Sequence, residues 1–266
     1  MRLVSYPGGF GRIEEDLVVP MGDDLLSYLR DGRQAPDGDP VPLADLELLA
    51  PVPHPGKVVC VGLNYRDHAA EVGKDVPTEP VLFGKWANSV TGPVADVEIP
   101  PGVEKVDYEG ELGVVIGSTA RRVSVEDAMG HVAGYVVCDD LSGRDLQWRL
   151  GQWTRGKAID GFLPMGPALV TADEVGDPGD LSVRTWLNGE LVQDSSTAQL
   201  VFGVAELVSS ISATVTLEPG DVIATGTPPG VGMAHDPPRF LQPGDEVAVE
   251  VGRVGRITTR MVAPRD

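Results

Sequence analysis

The chain has 266 residues, 42% of them hydrophobic, enough to bury a core as one large domain or as a small domain beside a large one. Its 21 Lys and Arg against 40 Asp and Glu give a formal charge of -19, which repels a polyanion, so nucleic acid is not an expected partner. No apolar run approaches the length of a membrane span, and no membrane association is expected.

The 33 glycines and 23 prolines, scattered in pairs such as Pro-Gly and Asn-Gly, mark many tight turns and favour a strand-rich fold. Residues 1–50 alternate short apolar runs with turns and offer one amphipathic helix, DDLLSYLRD, before the Pro-rich segment PVPHPG at 51–56. The composition changes there, so 1–50 is expected as a small N-terminal subdomain and 57–266 as the main body. The N-terminus, MRLVSYPGGFGRIEED, lacks the continuous apolar stretch of a signal peptide. Cys60 and Cys138 each sit in an apolar run, which suits buried thiols in a reducing compartment. A cytoplasmic location is the expectation.

From residue 57 the elements alternate. KVVCVG (57–62) reads as a buried strand, YRDHAAEVG (65–73) as a short helix stopped by Gly73, and PVLFGK (80–85) as a second strand. DYEGELGVVIG (107–117) is strand-like, with Tyr108, Gly110, Leu112, Val114 and Ile116 on one face and Glu109, Glu111, Gly113 and Val115 on the other. SVEDAMGH is a helix with Ser124 as its cap, GYVVCDD (134–140) another strand, and LSGRDLQWR a turn entering a helix. RTWLNGELV carries Asn188-Gly189 between two β-type runs, a strong hairpin signal. Residues 198–211 repeat apolar positions at helical spacing, and from VTLEPGDVIATG to RITTRMV the chain reads as successive antiparallel strands.

Glu109 and Glu111 share a strand face in a stretch of Val, Leu, Ile and Gly, where two carboxylates are unfavourable unless a positive charge sits against them. Asp139 and Asp140 end another apolar strand and could bring a third carboxylate to the same point. Such an all-oxygen set suits Mg²⁺, Mn²⁺ or Ca²⁺ rather than zinc or copper. Spacing alone leaves open the alternative of an exposed edge-strand face. His68 and Glu71, at i and i+3, make a candidate base dyad in which the carboxylate fixes the imidazole tautomer. An incidental pair on a surface helix is the competing reading. Arg144 and Gln147 share a helix face just after the Asp pair and could grip a carboxylate, or simply be solvated. Lys157 lies between Gly156 and an apolar run, where its ammonium needs an acidic partner. ATGTPPGVG (224–232) is neither a Walker motif nor GxGxxG, so phosphate cradling is a poor reading, though Thr225 and Thr227 could bind a small carboxylate. His54, His131 and His235 read as structural.

In this order, GLNYRDHAAE, DYEGELGVVIG, VCDDLSGRDLQ, GKAIDGFLPMGP and IATGTPPGVG resemble the fumarylacetoacetate hydrolase family from residue 57 to the end. The resemblance implies a β-rich α+β fold, a mixed β-sandwich roll preceded by a small N-terminal α/β subdomain, usually as a homodimer. It implies Glu109, Glu111 and Asp140 as metal ligands, with Asp139 a bystander, and Mg²⁺ (or Mn²⁺, with Ca²⁺ compatible) as cofactor. His68 and Glu71 match the family's lid dyad and Lys157 the lysine near the metal, while Arg144, Gln147 and Thr227 match substrate-contacting positions. Two departures stand out: Ser-Gly-Arg-Asp replaces the usual Ser-Ala-Arg-Asp, and FGKW at 83–86 stands where Lys-Pro is common. The second lies near the lid and bears on substrate more than on chemistry.

The expected activity is metal-dependent hydrolysis of a C–C bond in a small, acylpyruvate-like 2-oxo acid through a metal-stabilised enolate. Decarboxylation, or isomerisation and tautomerisation of 2-oxo diacids, would use the same site. A reading of another class is a non-catalytic binding module whose carboxylates hold a structural cation.

Overall fold

The computed structural model describes residues 1–32, 34–149 and 151–264. Its first strands form a meander: β1 (Arg2–Tyr6), β2 (Gly9–Glu14) and β3 (Leu17–Gly22) pair in sequence, followed by α1 (Leu25–Asp31) and β4 (Val41–Pro42). The helix starts where the Asp24 carboxylate accepts from the N–H groups of Leu26 and Ser27, satisfying two donors that the first turn leaves without partners.

The main body opens with β5 (Val58–Gly62), α2 (Arg66–Glu71) and β6 (Val81–Lys85), then β7 (Val90–Thr91), β8 (Val94–Glu98), β9 (Val106–Asp107) and β10 (Gly110–Ile116). Next come α3 (Val125–Ala128), capped by Ser124 as expected, β11 (Val132–Asp139), β12 (Ser142–Gly143), α4 (Arg144–Gln147), α5 (Thr154–Lys157), β13 (Leu163–Thr171) and α6 (Ala172–Val175). The hairpin of β14 (Ser182–Leu187) and β15 (Glu190–Ser196) turns at Asn188-Gly189, both with the positive φ that a type I′ turn requires. The chain then forms α7 (Val204–Ser212), β16 (Val222–Ala224), β17 (Glu246–Val251) and β18 (Gly255–Val262).

Two mixed sheets result. The larger runs β4-β3-β2-β1-β13-β11-β10-β16-β5-β6 with β7 beside β13, and the smaller runs β15-β14-β17-β18-β8. The β16–β5 and β18–β8 pairs are parallel, and their neighbours in each sheet are antiparallel. Through the β1–β13 pairing, the strands of residues 1–50 continue the larger sheet. The chain is therefore mostly sheet, with short helices, as the β-rich α+β reading requires.

Strand β10 holds the centre and is buried on both faces. Tyr108, just before it, and its residues Leu112, Val114 and Ile116 pack against Val183, Val249, Ile257 and Met261 of the smaller sheet. Val115, pointing the other way, joins Leu3, Phe10, Val58, Cys138 and Leu163. The alternation is the one read from the sequence, but β10 lies between β11 and β16, so the exposed edge-strand alternative for Glu111 is excluded.

Two elements differ from the pattern. Helix α7 begins at Val204, because residues 200–202 are held against 64–65: Leu200 bridges Tyr65, and the Phe202 N–H donates to Oδ1 of Asn64. Strand β16 does not continue an antiparallel run into β17. It inserts between β10 and β5 of the larger sheet, and only β17 and β18 follow as an antiparallel pair.

Candidate active site

The register of β10 on β11 sets Gly110 opposite Asp139 and Glu111 opposite Cys138, so carboxylates from the start of one strand and the end of the other meet. One oxygen from each of Glu109, Glu111 and Asp140 lies within 4.8 Å of the others. All three side chains are buried. The Asp140 N–H donates to the Glu109 carbonyl at 2.8 Å, and the Glu109 N–H donates to Oδ1 of Asp139 at 2.9 Å. Asp139 therefore braces the backbone of Glu109, while its Oδ2 has no hydrogen-bond partner among the described residues. Glu111 is fixed by the Gly226 N–H, which donates to its Oε2 at 2.8 Å. Gly226 has φ +103°, and a Cβ there would lie 2.9 Å from Cβ of Asn64, so the loop after β16 reaches Glu111 only with glycine at this position.

Three cations enter the same cluster. Nζ of Lys157 stands 2.7 Å from Oε2 of Glu109 and 2.9 Å from Oδ2 of Asp140. Nζ of Lys85 lies 2.8 Å from Oδ1 of Asp140 and also donates to the carbonyls of Leu141, Lys157 and Phe162. Arg144 reaches Oε1 of Glu109 at 2.7 Å through Nη1, and Oδ2 of Asp107 at 2.8 Å through Nη2. Five buried carboxylates, those of Asp107, Glu109, Glu111, Asp139 and Asp140, thus face three buried cations. The deficit is two positive charges, the charge of one divalent ion, and the donor set is all oxygen.

Proton affinities reflect the same imbalance. Burial opposes the charge of Glu109, but Lys157 and Arg144 outweigh it and hold the carboxyl at about 2. Burial, reinforced by Asp140 and Glu109, pushes Glu111 well above the usual carboxylate range. Burial likewise raises Asp139 to about 7, against the hydrogen bond from Glu109. Lys157 is buried too, yet Asp140 and Glu109 raise it to about 12, so it stays an ammonium. Without an added cation, the cluster holds protons where it could hold a metal.

The cluster floors a cavity of about 220 Å³ lined by Glu109, Lys157, Arg144, Gln147 and Thr227, with Phe83, Trp148, Trp153 and Met233 on its apolar sides and His68 among its walls. Nδ1 of His68 lies 2.8 Å from Oε2 of Glu71. A carboxylate only accepts, so Nδ1 carries the proton and Nε2 is the basic nitrogen. The other Glu71 oxygen accepts from the Gly230 N–H at 2.8 Å, tying α2 to the loop after β16.

The sequence pattern of the fumarylacetoacetate (FAA) hydrolase C-terminal family matches residues 57–262. The chain belongs to this family. It is 48% identical over 249 residues to the mitochondrial oxaloacetate tautomerase FAHD2B of Bos taurus, covering 92% of this chain and 78% of that protein. Among solved structures, it resembles the fumarylacetoacetate hydrolase of Exiguobacterium antarcticum with a TM-score of 0.91 and 38% identity, over 99% of this chain and 100% of the other. It also resembles the 5-carboxymethyl-2-hydroxymuconate delta-isomerase of Mycobacterium smegmatis, with a TM-score of 0.84 and 37% identity, over 99% and 98% of the two chains.

Within this fumarylacetoacetate hydrolase fold, the residues singled out from the sequence converge on one cavity and its floor, with some differences from their expected environments. Arg144 is not an open carboxylate clamp: its donors are taken by Asp107, Glu109 and Gln147. Thr227 lines the cavity and donates to the Gly110 carbonyl, whereas Thr225 is fully buried and donates to Leu112 instead. His131 and His235 contact Ser118 and Tyr108, outside the cluster. Sequence reasoning missed Lys85, Asp107 and Gln193. The cue for Lys85 was the one used for Lys157, a lysine next to a Gly and an apolar run, here at the end of a strand. Gln193 accepts from the Gly110 N–H at 3.0 Å and donates to Thr227 at 2.9 Å, a role nothing in its local sequence signals. No helix among the described residues is long and apolar enough to cross a membrane.

Proposed function

We propose that the chain is a divalent-metal-dependent enzyme that moves a proton between carbon and oxygen of a small 2-oxo acid, interconverting its enol and keto forms. The observation that carries the reading is the His68–Glu71 dyad on the wall of the same 220 Å³ cavity that has Glu109 and Lys157 at its floor. That volume is below the roughly 300–1,000 Å³ of pockets for drug-sized ligands and suits a few-carbon acid. The likeness to an oxaloacetate tautomerase at 48% identity favours proton transfer over bond cleavage.

Glu109, Glu111 and Asp140 would hold Mg²⁺ or Mn²⁺, and the bound ion would act as a Lewis acid toward the 2-oxo group. His68, kept in one tautomer by Glu71, takes the proton from the carbon next to the oxo group and delivers it to the oxygen to give the enol, and the reverse transfer gives the keto form. The Lys157 ammonium, beside Glu109, stabilises the negative charge that develops on oxygen. The net change is one proton moved, with no co-reactant. Gln147, whose Oε1 accepts from Arg144, offers its amide N–H groups to the acid's carboxylate, and the Thr227 hydroxyl, which donates to Gly110, lines the cavity beside it.

A second reading is C–C hydrolysis of an acylpyruvate, the activity ranked first on sequence. The same dyad favours it, since Nε2 of His68 could deprotonate a water as readily as a carbon acid. Proton NMR of oxaloacetate, acetylpyruvate and fumarylpyruvate, with Mg²⁺ and with a chelator, separates the two. Chelator-sensitive enol–keto exchange in oxaloacetate supports the first reading. Pyruvate plus a second acid from an acylpyruvate would replace it with the second.

A further inference from the structure

Among the cations that line the cavity, Lys74 differs from the others. Arg144 is held by Asp107 and Glu109, and Lys157 by Glu109 and Asp140. Lys74 lines the same cavity, is exposed, and makes no ion pair among the described residues. Its ammonium instead lies 5.7 Å from the ring centroid of Trp148, where the negative face of the indole holds a cation in place.

The support under Lys74 is built and not incidental. Trp148 meets Trp153 edge-on at 5.6 Å, and Trp153 meets Phe83 edge-on at 5.4 Å, so three aromatic rings form one continuous wall of the cavity. Trp153 packs so closely on β5 that a Cβ at Gly62 would lie 2.6 Å from its ring. Behind Lys74, its own N–H donates to the Ala69 carbonyl at 2.9 Å, which anchors the residue to the end of α2, the helix that carries His68. The cavity therefore has a buried charged floor at Glu109 and Lys157, apolar sides, and a half-open rim where Trp148 is 46% exposed and Lys74 stands.

We infer that Lys74, braced on Trp148, is a specificity-determining residue that receives the far carboxylate of a dicarboxylic substrate whose 2-oxo acid end is bound at the floor. This rests on the proposed function for the end that reacts. A monocarboxylic 2-oxo acid would reach the floor but leave Lys74 without a partner. On a chain with a formal charge of -19, an unpaired cation at the rim also offsets the general repulsion of a dianion. Because the backbone of Lys74 is hydrogen-bonded to the end of the helix that bears His68, engagement of the far carboxylate positions the base as well as selecting the substrate.

The test uses Mg²⁺-loaded protein with malate and lactate, unreactive 2-hydroxy acids that differ by the far carboxylate, followed by calorimetry. Wild type should bind malate at least tenfold more tightly than lactate. Lys74→Met should bring that ratio close to one, Lys74→Glu should invert it, and Lys74→Arg should restore most of it. In parallel, the ratio of kcat/KM for oxaloacetate to that for C3 deuterium exchange of 2-oxobutanoate should fall at least tenfold in Lys74→Met. An equal preference for malate in wild type and Lys74→Met, or no preference in wild type, overturns the inference. Failure of the proposed reaction looks different: malate preference persists and depends on Lys74, while neither 2-oxo acid is turned over.

Discussion

The ammonium of Lys157 donates to Oε2 of Glu109 at 2.7 Å, inside a cluster that holds more carboxylates than cations. Removing one partner of a buried pair leaves the other charge uncompensated, a loss of about 3–5 kcal/mol. Lys157→Met should therefore destabilise the metal-free chain by about that much. Saturating Mg²⁺ or Mn²⁺ should recover part of the loss, because the ion supplies charge to the same oxygens. Urea unfolding with and without metal measures both; an equal loss in the two conditions would mean that the ion binds elsewhere.

Glu111→Gln should separate charge crowding from metal binding. Burial, Asp140 and Glu109 all act against the Glu111 carboxylate, so the neutral amide should leave the metal-free protein as stable as wild type or more so. The same change removes a ligand, and the rise in melting temperature on adding Mg²⁺ should shrink or vanish. Thermal scans over a series of metal concentrations test both halves; a wild-type metal response in Glu111→Gln contradicts the assignment.

The stability of the metal-free chain should fall as pH rises from about 4, where unfolded carboxyls ionise, toward 7. In that window the unfolded chain releases the protons that folded Glu111, raised above the usual range, and Asp139, raised to about 7, still hold. Glu109, held at about 2, acts oppositely: its contribution is in place above about 4 and is lost as pH falls toward 2. A bound divalent ion displaces the retained protons, so the metal-induced rise in melting temperature should be larger at high pH than at low pH. A metal response that does not grow between acid and neutral pH would count against a cation at these carboxylates.

His68→Gln should lower kcat by about 10²–10⁴, the usual contribution of a positioned general base. Glu71→Gln should cost less, since the amide can still accept from Nδ1 of His68 although it no longer stabilises the positive imidazole. Neither substitution touches a carboxylate of the cluster, so calorimetric Mg²⁺ affinity should stay at the wild-type level. Loss of metal affinity alongside activity would place the dyad's role in the cluster rather than in proton transfer.

Much of this site was legible because its chemistry conflicts with its surroundings. Glu109 and Glu111 in a run of Val, Leu and Ile, and Lys157 beside an apolar stretch, are unfavourable unless they meet; the register of β10 on β11 gathers the carboxylates, and α5 carries Lys157 to them. The hairpin at Asn188-Gly189 and the cap at Ser124 were local matters, and local sequence decides them. Long-range pairing was not. Nothing near residue 222 distinguishes a strand that inserts between β5 and β10 from one that continues into β17, and nothing near Gln193 points to Gly110, 83 positions away. Arg144 read as free to grip a substrate because Asp107, its partner 37 positions away, ends a two-residue strand with no marking of its own.

Stopped-flow absorbance of enol oxaloacetate tests the central claim most directly, comparing Mg²⁺-loaded wild type, chelated wild type and His68→Gln against Mg²⁺ alone. The account predicts ketonisation faster than the Mg²⁺ blank for the loaded wild type, abolished by the chelator and reduced by about 10²–10⁴ in His68→Gln. Ketonisation no faster than the blank, with Mg²⁺ demonstrably bound, would contradict it.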